Sequence, residues 1–154
     1  MKSFLFWQRW LLFVGILVAV FGLVMAILNG TSIFSLFNDQ INPVFWGREN
    51  VPHTSLDFQR WVYGAWGATV SGWGVFLGFI ASYPFRKQEK WARNCLVTGL
   101  GMWFLVDTSI SIYYRVDFNV IFNSVLALLV ILPLGATWKM FDEELSIDGE
   151  IDAA

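Results

Sequence analysis

The sequence predicts an all-α integral membrane protein: a bundle of four transmembrane helices, both termini in the cytoplasm, with a short interfacial helix in its first outer loop. Three observations carry that reading. Hydrophobic residues make up 56% of the 154-residue chain and charged residues only 14%, against about 25% charged in an ordinary soluble domain. Four apolar segments are each long enough to cross a hydrocarbon core of about 30 Å, which takes about 20 helical residues. The basic residues between these segments also fall unequally on alternate sides. A soluble fold of this composition would expose large apolar patches to water. In lipid such patches face their solvent, and backbone groups that find no water there must be satisfied within a helix.

The first segment is Trp10–Leu28, 19 residues without a charge. Lys2 and Arg9 ahead of an apolar run also suit a signal peptide. The run exceeds an h-region of about 7–15 residues, however, and no small-residue cleavage site follows it. A retained helix is expected. The second segment is Trp61–Phe85, the third Cys95–Tyr114, broken only by Asp107, and the fourth Phe118–Trp138. Membrane barrel strands would be about 9–11 residues long with strict alternation, which is absent. Lys2, Arg9, Arg86, Lys87, Lys90, Arg93 and Lys139 fall on one side, Arg48, Arg60 and Arg115 on the other. The richer side marks the cytoplasm. Trp7, Trp10, Trp91 and Trp138 suit that interface, and Trp61, Tyr113 and Tyr114 the opposite one.

The connections complete the domain, 1–141. Arg115-Val116-Asp117 is a tight turn, so the third and fourth helices are antiparallel neighbours, and Asp117 is expected to cap the fourth. The outer loop, 29–60, carries Ile33, Phe34, Phe37 and Ile41 at helical spacing. These predict a short helix on the membrane surface or over the bundle mouth, broken at Asn42-Pro43. Residues 142–154 hold six acids and no Lys or Arg, which predicts a solvated, largely disordered tail.

Helices in lipid associate by close backbone approach at small residues. The first span offers Gly15, Ala19, Gly22 and Ala26. The second offers Gly64, Ala68 and Gly72 on one face and Gly74, Gly78 and Ser82 on another. Two small faces suggest two neighbours for the second span, one of them in a second copy or another membrane subunit. Pro133 should kink the fourth span, freeing a carbonyl near residue 129.

Asp107 is the most informative residue, because a carboxylate at a helix centre costs about 2.5–3.5 kcal/mol to insert. It needs polar company. Ser111 lies one turn outward on the same face, and Asn119 and Asn123 share a face of the fourth span. Tyr63 lies at similar depth on the second, and Arg60, at that span's outer end, is long enough to dip inward. An outward-facing cluster of Asp107, Ser111, Asn119, Asn123, Tyr63 and Arg60 is expected, acting either as interhelical glue or as a site for a ligand, an ion or a proton. His53 reads as a solvated loop residue and Cys95 as a small apolar one.

Several classes are disfavoured. One Cys and one His leave no Cys/His metal site. A net charge of −2 without a basic stripe argues against nucleic acid. No nucleophile elbow, HExxH or carboxylate pair supports an enzyme, and nothing implies a cofactor. The first expectation is therefore a structural or accessory subunit of a membrane complex, or a homo-oligomer, in a bacterial plasma membrane. The second is binding or transport of a small molecule, ion or proton through the Asp107 cluster.

Overall fold

The computed structural model describes residues 2–47 and 51–141, and these are helical throughout apart from turns. The acidic tail lies outside them. The elements are α1 (Lys2–Leu28), a 3-10 turn (Ser32–Phe34), α2 (Ser35–Trp46), α3 (His53–Ser82), α4 (Lys90–Tyr113), α5 (Asp117–Thr137) and a closing 3-10 turn (Trp138–Phe141). α1, α3, α4 and α5 are each long and apolar enough to cross a membrane.

Helix ends depart from the apolar runs where local chemistry allows. α1 starts at Lys2, because nothing in its first turns breaks a helix and the charged groups there can project outward. It ends where Asn29 turns back, its Nδ2 donating to the carbonyls of Met25 (2.9 Å) and Ala26 (3.3 Å). α3 opens at His53, not Trp61. Pro52 has a fixed φ and its carbonyl accepts from the Ser55 and Leu56 amides, so His53 sits in a first helical turn and not in a loop. Pro84 stops α3 early, and the turn to α4 places Gln88 at φ 59°. α2 runs through Asn42-Pro43 to Trp46, past its expected break. Val116, not Asp117, occupies the N-cap of α5, and no side chain caps it. Asp117 instead sits in the first turn, where its charge suits the helix dipole.

Large apolar side chains point outward. Ile27, Phe76 and Leu105 are 73, 67 and 66% exposed, the arrangement expected when the solvent is hydrocarbon. The buried interior forms two clusters at opposite ends. At one end Phe4, Phe85 and Phe141 interlock, with Phe4 stacked on Phe85 and Phe141 edge-on to both. Arg93 is buried beside them, its Nη1 donating to the Trp138 carbonyl (3.2 Å) and its guanidinium 4.2 Å from the Trp138 ring centre. The position at the C-terminal end of α5 favours a cation. At the other end Met25, Phe34 and Tyr63 join Phe21, Phe37 and Ile41.

α1 and the antiparallel α3 form the tightest pair. A Cβ added at Gly22 would lie 2.3 Å from the Ser71 amide nitrogen, one at Gly67 2.5 Å from that of Ala26, one at Gly74 2.2 Å from that of Ala19, and one at Gly15 2.8 Å from that of Gly78. Here backbone meets backbone, and glycine is required by proximity. The face that α3 presents is Gly67, Ser71, Gly74 and Gly78, which differs from expectation. Strict four-residue spacing drifts around a 3.6-residue helix, so Gly64, Ala68 and Gly72 do not continue that face. Gly64 stands only in ordinary contact range of Ala26, Gly72 has open space, and Ala68 is exposed.

α5 packs on both α1 and α4, whereas α3 and α4 do not pack along their lengths. The order across the bundle is α3, α1, α5, α4, and the ring is left open. Pro133 leaves the Leu129 carbonyl without its helical donor. Trp10 Nε1 supplies one at 3.0 Å, which ties α1 to α5.

Candidate functional site

The open seam between α3 and α4 is a chamber of about 670 Å³. α3 contributes Trp66, Val70, Trp73, Leu77 and Ile80, spaced by three and four residues, and α4 contributes Leu96, Leu100, Trp103 and Asp107 at the same spacing, with Gly99 beside Leu100. These are two helix faces of the kind that would normally pack on each other. Here they flank a space instead. α1 and α5 form the back wall through Phe21, Met25, Phe122 and Leu126. α2 forms the roof. Its Phe37 stacks on Phe34 and meets Phe118 and Phe122 edge-on, and Gln59 Nε2 of α3 donates to Asn42 Oδ1 of α2 at 2.6 Å.

The chamber is apolar except at the end beneath α2, where Asp107, Asn119, Asn123 and Tyr63 reach its wall. Asn119 Nδ2 donates to Asp107 Oδ1 at 2.9 Å and to Ser111 Oγ at 2.8 Å. Ser111 spends its proton mainly on the Asp107 backbone carbonyl, at 2.8 Å, and stands 3.4 Å from Oδ1. Oδ1 thus has one good donor and one long contact. Oδ2 makes no hydrogen bond among the described residues, and no Lys or Arg stands within ion-pair distance of the carboxylate.

The six residues expected to cluster therefore divide. Asp107, Ser111 and Asn119 come together as a hydrogen-bonded triad. Asn123, fully buried, turns instead to Thr108, its Nδ2 3.4 Å from Oγ1. Tyr63 lines the chamber but its hydroxyl accepts from Gln59 at 3.2 Å. Arg60 is elsewhere: exposed, 3.5 Å from Asp57, beside a separate 60 Å³ polar pocket with Asn29, Asn38 and Gln59. Its place at the mouth of α3 lets it reach water, which costs less than dipping inward. Thr108 and Gln59 were not anticipated. Thr108 had a usable signal, since it lies seven residues before Arg115 and Asn123 eight after, level positions in an antiparallel hairpin.

No family model, no curated protein and no solved structure matches this chain. Among the described residues no group of His, Cys, Asp and Glu is arranged to hold a metal, and Asp107 has no second acid or base beside it with which to share a proton. What the arrangement can do is hold a molecule with a long apolar body and one polar end.

Proposed function

We propose that this protein is a multi-pass plasma-membrane binding protein that takes an amphiphilic small molecule from the lipid phase into the chamber between α3 and α4. The observation that carries the reading is that gap: two apolar helix faces directed at each other whose backbones do not close up along their lengths. Its 670 Å³ falls within the roughly 300–1,000 Å³ of small-molecule sites. The basic residues, concentrated in the α3–α4 turn, support cytoplasmic termini and, with them, an outer position for the Asp107 end.

Leu100→Trp tests the reading by filling the chamber from α4. Native mass spectrometry of the full chain in mild detergent should show a retained amphiphile on the unmutated protein and none on the variant, with helicity unchanged. Equal adducts on both would argue against it. The competing reading, an accessory subunit or homo-oligomer, draws on exposed Ala68 and on half-buried Gly72 of α3, where an added Cβ would meet open space. It predicts oligomers that Gly72→Leu disperses while leaving the adduct in place.

A further inference from the structure

We infer that the amphiphile's head is a cationic amine, held by Asp107. The inference rests on the chamber being a binding site and deepens that reading. Among the described residues, Asp107 is the only acid that lines the chamber. Its Oδ1 is engaged by Asn119 and its Oδ2 has no donor among the described residues. Among the described residues no arginine or lysine stands within ion-pair distance of it. A carboxylate at the edge of an apolar space needs both a counter-charge and further donors, and an ammonium supplies the two together. An anionic head would face that same carboxylate and be repelled. A hydroxyl would give one hydrogen bond and no charge. Aromatic rings complete the match. Trp103 lies one turn from Asp107 on α4, and Trp66, Phe37 and Phe122 also line the chamber. The π-faces of such rings attract ammonium groups as well as alkyl chains.

The probes are dodecylamine, dodecanol and dodecanoate, each dibrominated on the chain, added to the full-length protein in uncharged maltoside micelles. Bromine quenches the tryptophans that line the chamber, and the three probes differ only in the head. Saturable quenching should occur about 10- to 100-fold more readily with the amine than with the alcohol, the range expected for a hydrogen bond to a charged partner, and least readily with the carboxylate. Asp107→Asn should abolish that preference while leaving alcohol binding in place, and Asp107→Glu should restore it in part. Asp117→Asn, an exposed acid in the first turn of α5, should change nothing. Saturable quenching by all three probes without preference would overturn the amine assignment and leave the chamber reading standing. No saturable quenching by any probe would overturn both. If Asp107→Asn fails to fold, the order amine, alcohol, carboxylate on the unmutated protein decides alone, and any other order counts against the inference.

Discussion

Replacing Gly74 by alanine adds one methyl group at the tightest point of the α1–α3 pair. That methyl would lie 2.2 Å from the Ala19 nitrogen, 2.6 Å from its Cα and 2.7 Å from the Gly15 carbonyl oxygen. These are all backbone atoms, so no side chain can rotate away, and the helices must part by about 1 Å to reach an ordinary contact distance. A gap of about 0.5–1 Å already forfeits a quarter to a half of each facing van der Waals well. Overpacking of this kind costs about 1–3 kcal/mol, and lipid provides no hydrophobic effect to draw the pair back together. Gly72→Ala is the control. Its methyl meets open space, and relief from glycine gains about 0.5–1 kcal/mol in a helix. The two variants each add one methyl to the same helix, two residues apart, and should separate by about 2 kcal/mol, roughly 30-fold in the unfolding equilibrium. Reversible unfolding in mixed dodecyl sulfate micelles, followed by circular dichroism, measures the difference. If Gly74→Ala unfolds together with Gly72→Ala, the backbone-to-backbone packing of α1 on α3 is wrong.

Other outcomes follow from the same contacts. Trp10→Phe leaves the Leu129 carbonyl without a donor and should cost about 1–3 kcal/mol. Pro133→Ala restores the helical amide, so the double variant should lose less than Trp10→Phe alone, read by the same unfolding assay. Asn119→Ala removes the good donor to Asp107 and should destabilise by a similar amount, while Arg60→Ala, whose partner is exposed, should change stability by less than about 1 kcal/mol. A reporter fused after Phe141 should remain cytoplasmic and one inserted between Gly47 and Val51 should be translocated, assayed by compartment-specific phosphatase activity; the opposite pattern would invert the charge argument.

The spans were legible because the need for about 20 uncharged residues leaves few alternatives. The limits of α1 and α3 were not, since a helix continues beyond the lipid wherever polar residues tolerate it, as Lys2 and His53 do. Asp107 announced itself as the one charge within a span, and Asn119 and Ser111 followed from helical spacing. Arg60 was misplaced because depth along a helix says nothing about which way a long side chain turns. Gly67 was overlooked because four-residue spacing was imposed where threes and fours alternate. The chamber was hidden for a different reason. The α3 stripe from Trp66 to Ile80 and the α4 stripe from Leu96 to Asp107 read as ordinary packing faces, and whether two such faces touch depends on how α1 and α5 hold their helices apart.

That separation is the central claim, and cysteine pairing tests it directly. In a Cys95→Ala background reconstituted in bilayers, Thr108→Cys with Asn123→Cys joins two side chains already in contact between α4 and α5 and should oxidise readily. Trp73→Cys with Leu100→Cys lies across the chamber and should stay reduced, because a disulfide needs Cα atoms about 4.4–6.8 Å apart. A bifunctional maleimide with a longer spacer should join it. Rapid direct oxidation of the 73–100 pair, as fast as that of the 108–123 pair, would show α3 packed on α4 in the membrane and would leave no chamber for a ligand.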